Sequence, residues 1–179
     1  MTINIRKASK DDIPAVHGLV MDLAVYEKAA DEFVATLEDY YQDFADGVFE
    51  VEVAEVNGNI AGMILYYMTY STWKGKMLYL EDFVVKEAYR KQGVGQALFD
   101  AYIASAKAKG CRLVKWQVLD WNEPAIKFYE KNHATIEKEW WNGKIIFWYN
   151  WLRIPAWLRS VHRIWMDKKA FSSKMIQFK

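Results

Sequence analysis

Cysteine is almost absent from this chain. The single one, Cys111, excludes an intramolecular disulfide framework and any multi-cysteine zinc site. Histidine is scarce as well. His17, His133 and His162 are scattered, none with a neighbouring ligand at metal spacing, so no metal is expected. No uninterrupted apolar run approaches the roughly 18 residues of a membrane span. No internal repeat or low-complexity stretch is present. Net charge is low too, at +1, which argues against a nucleic-acid binder. The opening Met1–Arg6 lacks the basic region, apolar stretch and cleavage site of a secretory signal, so a cytoplasmic location is expected. What is there is apolar: 53% hydrophobic and 16% aromatic residues in a chain of 179. That excludes a disordered chain and fits one domain with one core.

The small net charge conceals an asymmetry. Residues 1–143 carry 16 basic and 22 acidic side chains, whereas residues 144–179 carry eight and one. An acidic body attracts cations, and a basic end meets something else. The pattern along the body alternates strand and helix signals. Ile3–Arg6 reads as a first strand. Ser9 with Asp12 resembles a capping box before Ile13, Val16, Leu19, Val20 and Leu23, the face of a helix to about Lys28. Thr36-Leu37-Glu38-Asp39 opens a short second helix. Phe49–Val56 and Ile60–Tyr70 are strands joined by Asn57-Gly58, a strong hairpin signal. Lys76–Val85 is the next strand, Gly95–Lys109 a helix closed by Gly110, and Leu113–Val118 a strand. Asn122–Lys131 is a helix with Pro124 in its first turn. Thr135–Trp140 and Ile145–Trp151 would form a closing hairpin around Asn142-Gly143. Residues 1–151 therefore predict one α/β (α+β) domain with about seven strands and about four helices. Beyond it, residues 152–179 form a basic aromatic extension. Trp157, Leu158, Val161, Ile164 and Trp165 share one face of a helix at about 155–169. Packing against its own or a partner subunit, or contact with an anionic membrane surface, would each suit this segment.

The segment richest in chemistry runs from Tyr79-Leu80-Glu81-Asp82-Phe83-Val84-Val85 to Arg90-Lys91-Gln92-Gly93-Val94-Gly95-Gln96. A strand leads into a glycine loop and then a helix start. Such a loop turns several backbone N–H groups onto one anion, and the helix dipole adds to the field. It suits a pyrophosphate. No Gly-Lys-Ser/Thr follows, so it is not a P-loop, and Leu98 at the third glycine position excludes a dinucleotide fingerprint.

Arg90-x-x-Gly93-x-Gly95 after a strand resembles the acyl-CoA signature of the GCN5-related N-acetyltransferase (GNAT) superfamily. Further segments are similar to the spermidine/spermine (diamine) N-acetyltransferase family within it. They are Leu23-Ala24-x-Tyr26-Glu27, Tyr66-Tyr67-x-Thr69-Tyr70-x-x-Trp73, Tyr79-Leu80-Glu81-Asp82-Phe83 and Trp121-Asn122-Glu123-Pro124-Ala125. The resemblance covers residues 3 to 151 and implies a mixed, mostly antiparallel sheet. It implies acetyl-CoA as the acetyl donor and a homodimer. Phe83, Val84 and Val85 would give main-chain contacts to the acetyl-pantetheine arm. Residues Arg90, Lys91, Gln92, Gly93, Val94, Gly95 and Gln96 would hold the pyrophosphate, with Asn122, Glu123, Pro124 and Ala125 also at the cofactor. Tyr26, Glu27 and Glu81 would meet the amine, and Tyr129 would be the proton donor. Lys91 departs from the family, where a small residue is usual, and Asn132 stands where a basic one is frequent.

The chemistry is consistent residue by residue. A primary amine has a pKa near 10.4, so a base must take its proton before it attacks a thioester. Glu81 is the candidate, acting through water. In a regular strand Glu81 and Asp82 face opposite ways, so Asp82 is expected to attract cations or make a structural hydrogen bond. A backbone N–H near Val84, exposed by a local break in strand pairing, would stabilise the oxyanion. Tyr129, with a phenol pKa near 10, stays protonated to serve the thiolate. Tyr26, Tyr66, Tyr67, Tyr70 and Trp73 would offer aromatic faces to a flexible polycation, although core or dimer packing accounts equally well for Tyr66 and Tyr67. Cys111 is expected to be an inert structural thiol. The expected activity is direct acetyl transfer to a small polyamine or diamine. A lysine-like acceptor such as thialysine is the alternative, and so is a non-catalytic acyl-CoA-binding module.

Overall fold

The computed structural model describes residues 2–146. The chain divides into two units, Met1–Phe128 and Tyr129–Lys179. Residues 147–151 of the expected closing hairpin and the whole extension 152–179, with its expected helix, lie outside the described residues.

The first unit is built on a five-stranded sheet in the order β1-β2-β3-β4-β5. Its strands are β1 (Ile3–Lys7), β2 (Glu50–Val56), β3 (Asn59–Ser71), β4 (Gly75–Val85) and β5 (Leu113–Lys115). The first four pair antiparallel, and β5 joins β4 in parallel. A parallel partner needs a crossover, which α3 (Val94–Ala108) supplies. Helices α1 (Ile13–Tyr26) and α2 (Leu37–Ala45) precede β2, and α4 (Glu123–Lys131) follows β5.

Local signals account for most of these boundaries. The Asp39 carboxylate accepts from the Thr36 N–H at 2.8 Å and its hydroxyl at 2.6 Å, closing a capping box at α2. The Asp12 carboxylate accepts from the Ser9 N–H at 2.7 Å. It also takes both ends of the Arg6 guanidinium at 2.7 and 2.9 Å, which locks β1 to the start of α1. Asn57 and Gly58 both have positive φ, as a tight hairpin between β2 and β3 requires.

One face of the sheet receives α1. Val16, Leu19 and Val20 pack on Val51, Val53, Met63, Leu65 and Val84. The other face receives α3. Phe83 stacks on Phe99, and Tyr66 packs its ring on Tyr102. Phe128 closes this side against Phe83 and Phe99. Tyr66 is thus a core residue, fully buried, its hydroxyl donating to Glu52 at 2.8 Å.

Two expectations change. Thr135–Trp140 forms no strand, and nor does the rest of the described chain to Ile146, so the sheet has five described strands and not about seven. A hairpin arm forms only against its partner, and the partner arm lies outside the described residues beyond Ile146. The fifth strand ends at Lys115, short of Val118, because β4 leaves it: their ladder covers only Met77–Tyr79.

Gly62, on β3, controls how closely β3 approaches β4. A Cβ there would stand 2.5 Å from the Val84 carbonyl oxygen and 3.1 Å from the Val85 Cα. Gly62→Ala is expected to push the end of β4 outward and to cost about 1–3 kcal/mol. Urea denaturation checks this; an unchanged midpoint would show that β4 yields without cost.

Candidate active site

The ladder between β3 and β4 pairs Leu65 with Asp82 and then Tyr66 with Leu80. Glu81 is skipped. It is the extra residue of a β-bulge, which bends a strand and changes which side chains share a face. Leu80 lies opposite Tyr66, on the α3 face, and so does Phe83, three residues on. Asp82 lies opposite Leu65, on the α1 face. Tyr67, two residues beyond Leu65 on that same face, donates from its hydroxyl to the Glu81 carboxylate at 3.0 Å. Both carboxylates are therefore turned to the α1 side. A regular strand would have separated them, as the sequence reading assumed; the bulge removes that premise. The irregularity falls at Glu81 rather than near Val84.

The surroundings of the pair are acidic and aromatic. Tyr67 stacks on Tyr79 at 5.5 Å. Burial pushes the Asp82 carboxyl up to about 7, aided by the charges of Glu81 and Glu27. Burial also raises Glu27, at the end of α1. Tyr40 of α2 feels the same charges: burial first, then Asp82 and Glu81, hold its phenol well above the usual range. Three acids from α1 and β4 thus converge with a tyrosine from α2. No described cation forms an ion pair or hydrogen bond with any of them.

Past Tyr79, β4 continues through Leu80–Val85 without β5 beside it. The main chain at Phe83, Val84 and Val85 lies on this stretch of β4, which has no β5 residue paired to it. An extended amide-bearing arm fits such an edge as a substitute strand. The edge leads into the loop 86–93. Arg90 folds back, its Nε donating to the Val85 carbonyl at 2.9 Å, and the Gln92 amide donates to the Ala88 carbonyl at 2.7 Å. Gln96 donates to Asp100 one turn along α3. These side chains bond within the loop and along α3, and so shape the turn into the helix. Gly93, at φ 88°, turns the chain into α3, whose first internal bond is Ala97 N–H to Gly93 carbonyl. Lys91 holds φ 60°, a left-handed conformation that favours glycine. The small residue usual in relatives thus has a backbone reason, and lysine occupies the position at a cost in strain.

Asn122 caps α4. Its carbonyl accepts from Ile126 N–H at 3.0 Å and its side-chain oxygen from Ala125 N–H at 3.4 Å. The Tyr26 hydroxyl donates to that oxygen, also at 3.4 Å, while its ring packs on Trp121. Tyr26 and Asn122, assigned by resemblance to the amine and the cofactor, thus touch. Glu123 pairs with Lys127 at 3.1 Å on the exposed face of the helix, beside the exposed Pro124. In the second unit Tyr129 is buried, and burial lifts its phenol well above the usual range, which keeps it protonated.

Sequence reasoning missed Tyr40, which no local motif marks, and kept Tyr67 undecided. Cys111 is partly buried, with its sulfur 3.9 Å from Met68 sulfur, in keeping with a packing role.

The profile of the acetyltransferase (GNAT) family matches residues 16–134, two thirds of the chain. This chain is a GNAT-family N-acetyltransferase. It is similar to the thialysine N-epsilon-acetyltransferase of Bos taurus, 35% identical over 78% of this chain and 89% of the relative. It is also 34% identical to the spermidine/spermine N(1)-acetyltransferase-like protein 1 of Homo sapiens, over 73% of this chain but only 20% of that longer protein. The fold is shared with the crystal structure of an aminoglycoside acetyltransferase from an uncultured soil metagenomic sample. That match has a TM-score of 0.66 at 21% identity and covers 83% of this chain and 95% of the other. The diamine-acetyltransferase segments picked out in the sequence agree with this placement. The acetyltransferase acts on amines, and enzymes of its family take the acetyl group from acetyl-CoA.

The raised Asp82 carboxyl has a consequence for stability. Folding favours its protonated form, so the native state binds more protons between the ordinary value of 3.8 and about 7. Stability must fall as pH rises through that window and level off above it. Asp82→Asn is expected to melt higher than the parent, with the gap opening from pH 4 to pH 7 and constant above. Thermal melts across this range check it; a gap that closes with rising pH would contradict the assignment.

Proposed function

We propose that the enzyme acetylates a primary amine of a small polyamine or diamine, by direct transfer from acetyl-CoA. The observation that carries this is the face on which Glu27, Glu81 and Asp82 converge without a described cation. A polycation with no carboxylate of its own suits that face. Tyr67 and Tyr79 add ring surface, where an alkyl ammonium gains cation–π attraction.

In this reading the acids at the β4 bulge, Glu81 and Asp82, bind the amine and between them receive its proton. Tyr26 and Glu27 hold the remainder of the substrate. Main-chain groups of Phe83, Val84 and Val85 align the acetyl-pantetheine arm. The N–H groups of Lys91 to Gln96 bind the pyrophosphate, with Arg90 bracing the loop and Asn122, Glu123, Pro124 and Ala125 at the α4 start flanking the cofactor. Tyr129 donates its proton to the departing thiolate. A backbone N–H on the open edge of β4 stabilises the oxyanion. Cytoplasmic location and a homodimer complete the reading. No described helix is long and apolar enough to cross a membrane. Exposed Met68, Tyr70 and Trp73 at the β3–β4 hairpin supply apolar surface that a second copy would cover.

A second reading keeps the chemistry and changes the acceptor to a lysine-like amino acid. It is favoured by the 35% identity to the bovine thialysine enzyme. Such an acceptor brings an α-carboxylate, which the acid face would repel.

Thiol release from acetyl-CoA with spermidine, putrescine, thialysine or no acceptor separates the two. Spermidine and putrescine are expected to be turned over with the higher kcat/KM. Thialysine turnover alone would overturn the polyamine assignment. Tyr129→Phe is expected to lower kcat about 100-fold and leave the affinity for CoA within twofold. An unchanged rate would remove Tyr129 from the reaction.

A further inference from the structure

We propose that Asp82 is the group that takes the proton from the amine, with Glu81 as the neighbouring carboxylate that holds the ammonium beside it. The proposal rests on the amine-acetylating reading above and divides the labour of the acid pair.

The bulge is the first ground. It turns both carboxylates to the α1 face, so one ammonium can meet both. Their surroundings then differ. Glu81 is exposed and tied by the Tyr67 hydroxyl at 3.0 Å. Asp82 is half-buried beside Leu65 and Val84 and has no hydrogen-bond donor or cation among the described residues. The groups that face it are Glu81 on its own strand, Glu27 from the end of α1 and Tyr40 from α2. Tyr67 and Tyr79 stand beyond, around Glu81. Two of these neighbours are acids and none is basic.

An anion in that position gains most by becoming neutral. Proton transfer from the ammonium does this for both partners at once, giving a carboxylic acid and the neutral amine that attack requires. The raised Asp82 carboxyl agrees with this order: a base near 7 takes a proton from an amine far more readily than an ordinary carboxylate near 4. The amine nitrogen then bonds to the acetyl carbon, and the carbon–sulfur bond breaks. Two protons leave the nitrogen in all. One rests on Asp82 and passes to water; the other replaces the proton that Tyr129 gives to sulfur. The release of one proton to solvent balances the conversion of an ammonium to an amide and a thiol.

The test is the pH profile of kcat/KM for spermidine at saturating acetyl-CoA, with Asp82→Asn and Glu81→Gln beside the parent. The parent is expected to show an acid limb near pH 7. Asp82→Asn should lose that limb and about 100-fold in kcat, with the KM for acetyl-CoA within twofold. Glu81→Gln should raise the KM for spermidine about tenfold. It should keep the limb, moved to lower pH because one negative neighbour is gone. An Asp82→Asn enzyme that retains the limb and most of kcat overturns the proposal and leaves amine acetylation standing. The same holds if Glu81→Gln is the variant that loses the limb. Failure of the parent to acetylate spermidine at any pH overturns the polyamine reading, and this proposal with it.

Discussion

Glu81 is one residue too many for the ladder it sits in, and the rest of the site depends on how β4 absorbs it. With the strand regular, Leu80 and Asp82 would share a face and Glu81 would look the other way. With the bulge, Leu80 and Phe83 both pack toward α3, and Asp82 joins Leu65 under α1. The core enforces this: Tyr66, opposite Leu80, is fully buried and bonded to Glu52, so the strand cannot slide to recover its register. Just before the bulge, at Tyr79, the ladder to β5 ends, so Leu80–Val85 carry no β5 partner. One inserted residue thus gathers the acids beside the edge on which an acyl chain would lie.

The electrostatic consequence is an anionic face kept without compensation. Elsewhere in the first unit the acids between β1, β2 and α3 are paired. Asp12 is bound by Arg6, Glu50 by Lys7 and Lys109, and Glu52 by Lys7. Those pairs fasten β1, β2 and α3 to one another. Glu27, Glu81 and Asp82 have no such partner among the described residues, and burial drives two of them away from the charged form. Acids held that way destabilise the fold unless a cation arrives. In the proposed reading, these three acids are the ones a positively charged substrate would meet.

Much of this was legible in the sequence because it rests on local chemistry. The Thr36 capping box, the Asn57-Gly58 hairpin, the Gly110 helix end and the strand–loop–helix passage from Tyr79 to Gln96 are written in adjacent residues. The family segments brought Tyr26, Glu27, Glu81 and Asn122 forward as candidates. The bulge was not legible: Tyr79-Leu80-Glu81-Asp82-Phe83 reads equally well as a regular strand, and only pairing with Leu65 and Tyr66 displaces Glu81. Nor was Tyr40, since its approach to the acids depends on how α2 packs. Thr135–Trp140 reads as a strand from its alternation and is not one among the described residues, because alternation alone does not supply a pairing partner.

The central claim is geometric, and a crystal structure tests it most directly. The enzyme would be crystallised with a bisubstrate compound in which spermidine is joined to the sulfur of CoA through an acetyl linker. The account predicts a bulge at Glu81, the diphosphate on the N–H groups of residues 91–96, and the reacting nitrogen within hydrogen-bond reach of the Asp82 carboxylate. A regular β4 with Glu81 and Asp82 on opposite faces, or a nitrogen bound away from both, would contradict it.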